Sequence, residues 1–301
     1  MMASVLTAFF FALSAVTGSR AARLVGPVNA NFIRLSIATL ILTVFALTAG
    51  KGLAGPGLPV FLMSGLIGFG LGDIALFHAY ERLGARRTIL LAQCGAVPFA
   101  ILTELVWLGT VITWHQLLWI ALILGGICLA VLPRKESPVA GDVLWKGAGF
   151  GILAALGQAW GAVLSRKAVA MNDAVGLSLD GWTSSFQRIL AGLVVAALFF
   201  AWFHWKKRSR TKPVLASLGS RNRLRAALLC LANALAGPVL GVGFYQWALS
   251  ETASGIVLAV VATTPVVTLP LVWVLGEDKP EALPIIGSLL AVGGVVGLLL
   301  L

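Results

Sequence analysis

Ten stretches of this chain are long and apolar enough to cross a bilayer, which leaves it very few ways to fold. They run roughly over 1–19, 28–49, 58–80, 88–109, 114–132, 147–165, 181–204, 226–249, 254–275 and 284–301. A helix of about 20 apolar residues covers the hydrocarbon core. Lipid offers no partner to backbone N–H and C=O groups, so only helices and closed barrels can span it. These runs are too long and too continuous for barrel strands. The expected fold is therefore an all-α integral membrane bundle of ten transmembrane helices. Hydrophobic residues make up 59% of the chain and charged residues 11%, against roughly a quarter charged in ordinary globular domains. The core of such a chain is the interior of its bundle.

The net charge of +11 could suggest a nucleic-acid partner, but its placement argues against one. No folded basic face or aromatic platform exists to hold nucleic acid. Basic residues instead sit in short clusters between apolar runs, where they set orientation. Odd-numbered loops hold Arg20 and Arg23; Arg82, Arg86 and Arg87; Arg134, Lys135 and Lys146; eight residues between Lys206 and Arg225; and Lys279. Even-numbered loops hold Lys51, Arg166 and Lys167. Seventeen against three places the odd loops in the cytoplasm and both termini outside. The first run lacks a basic segment ahead of it and is expected to remain as a span rather than leave as a signal peptide.

The chain also repeats itself. Phe77 to Gly126 aligns on Phe244 to Gly293 at one offset of 167, matching Phe77 with Phe244, His78 with Tyr245, Pro98 with Pro265 and Gly109 with Gly276. Earlier in each half, Phe32-Ile33-Arg34-Leu35 matches Phe186-Gln187-Arg188-Ile189 at an offset of 154. Each unit holds five spans. An odd number turns the second copy upside down, and inverted repeats place a ligand site at the seam between copies. The expected organisation is a first five-helix repeat over 1–133, a polar linker over 134–146 and a second repeat over 147–301.

Several polar residues are costly inside a membrane and so are candidates for function. Arg34 and Arg188 lie about a third of the way into spans two and seven. They anchor spans or contact an anion. Because the copies are inverted, the two should lie near opposite faces, as paired gates rather than one site. Asp73 and Glu104, in spans three and four, have Leu240 and Leu271 as repeat partners. Either could sense protons, or serve as a structural acid paired with a base such as Arg34. Helical spacing puts Asp73, Phe77 and Tyr80 on one stripe. Gln93, Gln158, Trp160, Asn233, Tyr245 and His78 could line a cavity that grips an amphipathic solute. The alternatives are interhelical hydrogen bonds and an aromatic belt. Pro98 and Pro265, repeat partners, would kink their helices and free carbonyls.

Cys94, Cys128 and Cys230 lie in apolar runs with no metal-ligand spacing, and no His/Cys/Asp/Glu cluster has one either. No phosphate loop opens a helix after a strand. No catalytic residue, metal or cofactor is expected.

The ordered motifs resemble the drug/metabolite transporter superfamily, specifically its EamA-like ten-span branch. They are Phe32-x-Arg34 and Phe186-x-Arg188; Tyr245 to Ser254 leading into span nine; Pro265 followed by Trp273-Val274-Leu275-Gly276-Glu277; and a last span with Gly293-Gly294. The first half departs from the Leu-Gly-Glu turn, reading Leu108-Gly109-Thr110. The resemblance covers nearly the whole length. It implies a secondary carrier, an exporter of small organic metabolites by alternating access, multi-pass in the cell (inner) membrane. Spans one, three, four, six, eight and nine would form most of the cavity wall. Partners would be a small-molecule substrate, amino-acid-like or amphipathic, and membrane lipids, with the chain a monomer or homodimer. The alternative is a membrane-embedded enzyme or a flippase acting on lipid-linked substrates.

Overall fold

A computed structural model describes residues 1–131, 141–207, 219–274 and 282–300. Among the described residues the chain is helical and has no strand. The helices are α1 (Met2–Val25), α2 (Pro27–Thr48), α3 (Leu58–Gly65), α4 (Asp73–Ile89), α5 (Gly95–Leu108), α6 (Trp114–Val131) and α7 (Gly141–Asp173). They continue with α8 (Gly181–Lys207), α9 (Ser220–Ala234), α10 (Val242–Glu251), α11 (Ser254–Val261), α12 (Thr264–Val274) and α13 (Ala282–Leu299). Three π-helical segments, Leu66–Gly72, Leu90–Cys94 and Leu235–Gly241, join α3 to α4, α4 to α5 and α9 to α10.

Among the described residues, combined across these joints and the break between α11 and α12, eight helices are long and apolar enough to cross a membrane, and Trp114–Ala130 and Ile285–Leu298 form two shorter apolar helices. Their ends follow local chemistry. Gly26 (φ 86) turns α1 directly into α2, and Pro27 opens α2, where its missing N–H is not needed. Gly84 (φ 76) breaks α4 and so divides the third span from the fourth. Asp180 caps α8, its Oδ1 accepting from the backbone N–H of Trp182 (2.9 Å) and Thr183 (2.8 Å).

One boundary differs from the sequence reading. Residues 141–146, expected in the linker, are the first turns of α7. Asp142 favours the positive end of the helix dipole and pairs with Lys146 one turn on, at 3.7 Å. Residues 132–140, most of the 206–225 loop and the Leu275-Gly276-Glu277 motif lie outside the described residues.

Between helices in lipid there is little hydrophobic drive, so close backbone contact does much of the work. The interior is accordingly rich in alanine and glycine. The third and sixth spans meet at Gly72 and Gly157, where a Cβ on Gly157 would lie 2.7 Å from the Gly72 Cα. The pair α6 and α13 meets the same way, since a Cβ on Gly126 would lie 2.6 Å from the Ala291 backbone nitrogen. Elsewhere α2 packs on α8, α7 on α4 and on Leu66–Gly72, and α1 on α9 and Leu235–Gly241.

Candidate functional site

The irregular backbone of the bundle gathers around one cavity. Gly68, Phe69 and Gly72 of the first π segment line it, as do Gln93 of the second and Gly237 and Pro238 of the third. Thr264 lines it too, next to the break between α11 and α12. Non-α backbone at membrane depth is tolerated where it borders a cavity and its freed groups find partners, and π bulges often mark functional positions. The cavity offers about 110 Å³ to water-sized molecules. A larger hollow of about 720 Å³ lies among loop ends at Lys51, Asp180 and Glu251. The smaller one is the candidate, because all three π segments and the buried Arg34 and Arg188 border it.

Arg34 and Arg188 both border this cavity and both are 5% exposed. This corrects the expectation that they guard opposite faces. The two come from different helices, α2 and α8, and border one space. Arg34 forms an ion pair with Asp73, donates from Nε to Asn31 Oδ1 at 3.1 Å, and lies over the Phe77 ring at 4.8 Å. Asp73 and Tyr80 face the cavity, while Phe77 supports Arg34 from behind.

Arg188 is placed differently. Its Nη2 sits where Cβ atoms on Gly68 or Gly161 would come within 3.1 Å, and its guanidinium lies 5.3 Å from the Phe69 ring centre. Its Nε and Nη1 are buried and have no hydrogen-bond partner. The buried hydroxyl of Tyr245 also has none. A buried donor left unpaired costs about 1–3 kcal/mol, and more if charged. Gln158 Nε2 donates to Gln93 Oε1 at 2.7 Å across the same cavity, joining the sixth span to the fourth.

Four other expected residues are not gathered there. Trp160 is 44% exposed on the outer face of α7. It stands two residues, about 200° of helix, from Gln158, so the two cannot face one cavity. His78 lies in a small separate pocket beside Phe150 and Phe199. Asn233 donates to the Ser14 carbonyl at 2.5 Å and to Ser14 Oγ at 3.0 Å, holding α9 against α1. Glu104 is 1% exposed and accepts from Arg166, from the hydroxyl and N–H of Ser254 (2.9 Å to the N–H) and from the N–H of Gly255 at 3.3 Å. It thereby ties α5 to α7 and caps the N-terminus of α11.

The prolines also part ways. Pro98 lies within α5, where it has no N–H to offer the carbonyl one turn back, at the end of the Leu90–Cys94 π segment. Pro265 stands at the first turn of α12, where no such bond exists to lose, and the chain breaks just before it. The sequence reading passed over Ser14, Phe11 and Thr264, which line the cavity. No sequence signal separates these from ordinary packing residues in apolar helices.

Comparison with known proteins agrees with this architecture. No curated protein matches the sequence. Among solved structures, the crystal structure of one protein superposes with a TM-score of 0.70 at 19% identity, covering 99% of this chain and 95% of that one, a likeness of fold. The model of the EamA-like transporter family matches residues 1–132 and 145–300. Matched over nearly its whole length and built as a multi-pass bundle of apolar helices around a polar cavity, the chain belongs to the EamA-like transporter family.

Proposed function

We propose that this protein is a secondary transporter that exports small organic metabolites, amino-acid-like or amphipathic, by alternating access. Its two five-span halves, inverted relative to each other, rock around the cavity. It is not an enzyme. It resides in the cell (inner) membrane, with both termini outside, as a monomer or homodimer.

The observation that carries this reading is the convergence on one cavity of Arg34, Asp73 and Gln93 from the first half and Gln158, Arg188 and Tyr245 from the second. Two packing relations support the inverted arrangement. Span two lies against span seven, and the fifth apolar helix lies against the last, so corresponding members of the halves pair across the bundle. Five crossings per half then reverse the second copy. Coupling falls to Asp73, the carboxylate at the cavity, where a bound solute and a proton could compete for the same charges.

Flux measurements test the proposal. Proteoliposomes holding the purified protein should exchange some members of a metabolite panel far faster than empty vesicles do. Equal leakage across the whole panel would sink it.

A further inference from the structure

Among the groups lining the cavity, the buried polar atoms without partners are Nε and Nη1 of Arg188 and the hydroxyl of Tyr245. All can donate, and the guanidinium can only donate. We propose that Arg188 and Tyr245 bind the carboxylate of the transported solute, and that this solute is a small monocarboxylate with an apolar body. The inference rests on the transporter reading above and narrows it to a substrate class.

Charge supports it. Three ionic side chains line the cavity among the described residues, and Asp73 takes up the charge of Arg34. Asp73 lies within electrostatic reach of Arg188 as well but bonds only Arg34. One positive charge is left over. A monocarboxylate neutralises it, an amino-acid zwitterion adds no net charge, and a phosphate dianion overshoots.

Geometry supports it as well. An arginine fork matches the two oxygens of a carboxylate. The fork is held in place by the bare backbone at Gly68 and Gly161 and by the Phe69 ring. Tyr245, close enough to Arg188 for the two to interact electrostatically, supplies a further donor from another helix. Size then limits the rest of the solute. With one water needing about 10–15 Å³ of such space, the cavity holds roughly seven to eleven waters, and hence a solute of about that many non-hydrogen atoms. Phe11, Leu76 and Val242 give its apolar body a matching wall.

The test uses full-length protein in a neutral detergent, so that no anionic lipid competes. Dissociation constants are read from ligand-dependent shifts in Tm for 4-methylpentanoate, its amide, 3-methylbutylamine, L-leucine and isopentyl phosphate. The carboxylate is expected to bind at least tenfold more tightly than each of the others. Arg188→Gln should lose at least tenfold of that affinity and Arg188→Lys less. Tyr245→Phe, which removes only a hydroxyl, should lose severalfold while the unliganded Tm stays near wild type. If Arg188→Gln does not fold, Tyr245→Phe and Arg188→Lys decide the matter.

Equal binding of the amide or amine overturns the proposal, as does tighter binding of L-leucine or the phosphate. So does the absence of binding by the carboxylate, or a carboxylate affinity untouched by these substitutions. Parallel flux assays separate the two levels. A carboxylate bound through Arg188 but never carried sinks the transporter reading and leaves only a carboxylate-binding site. Carried amines with no preference for carboxylates sink this inference alone.

Discussion

Arg34 and Arg188, each the arginine of a Phe-x-Arg sequence, border the same cavity, yet of the two only Arg34 has a carboxylate bonded to it among the described residues. Asp73 takes one arginine and leaves the other. A satisfied charge thus stands beside a free one.

The Arg34–Asp73 pair is nearly dehydrated, with side chains 6% and 16% exposed. Removing one partner of such a pair typically costs about 3–5 kcal/mol, because the other charge stays buried. Asp73→Asn should therefore lower Tm markedly. Arg34→Gln combined with Asp73→Asn should recover part of the loss, as a double-mutant thermal series would record.

Proton coupling should separate the two intramembrane acids. Asp73 faces the cavity beside both arginines, whereas Glu104 is enclosed by Arg166 and the start of α11. Asp73→Asn is expected to flatten the pH dependence of flux, and Glu104→Gln to leave its shape intact. Unchanged pH profiles in both variants would end the coupling idea.

Glu104 should matter for stability instead. Its charge-assisted bonds to Ser254 and Arg166 fasten three helices together, and each such bond contributes about 1.5–3 kcal/mol. Glu104→Ala should lower Tm strongly. Glu104→Gln, which keeps an acceptor for the N–H groups of α11, should lower it less.

Gly65 tests backbone contact directly. A Cβ there would lie 1.7 Å from the Arg188 carbonyl oxygen, so a methyl group must push the third span off the seventh. Gly65→Ala should cost at least about 3 kcal/mol, the upper end for overpacking. At Gly161 the neighbour is the flexible tip of Arg188, at 3.1 Å, and Gly161→Ala should shift that tip with a milder loss of Tm.

Trp160 gives a contrasting control. It faces outward at 44% exposure, so Trp160→Leu should leave flux unchanged. Gln158→Leu, two residues earlier, breaks the bond to Gln93 in the cavity wall and should reduce flux severalfold. The loss of a single hydrogen bond, about 0.5–1.5 kcal/mol, corresponds to that range.

Much of this protein was legible in one dimension. The length of each apolar run dictated helices, because lipid forbids open backbone, and the structure moves most of their ends by only a few residues. The sixth span grew most, since its polar ends extend as helix beyond the apolar stretch that marked it. Asp73, Gln93, Gln158 and Tyr245 stood out because polar groups are rare at that depth.

Tertiary structure decided which of those residues meet. Local period can place Trp160 opposite Gln158, but it cannot say which face lies inward. Arg34 finds Asp73 39 positions away, and Glu104 reaches Ser254 150 positions on. Those partnerships depend on helix packing set by glycine contacts throughout the bundle. Sequence alone determined what had to be buried and in what form, because the cost of exposing backbone to lipid is local. Which buried charge would be answered and which left open was settled only when distant helices came together, because pairing depends on distance in space and not on separation along the chain.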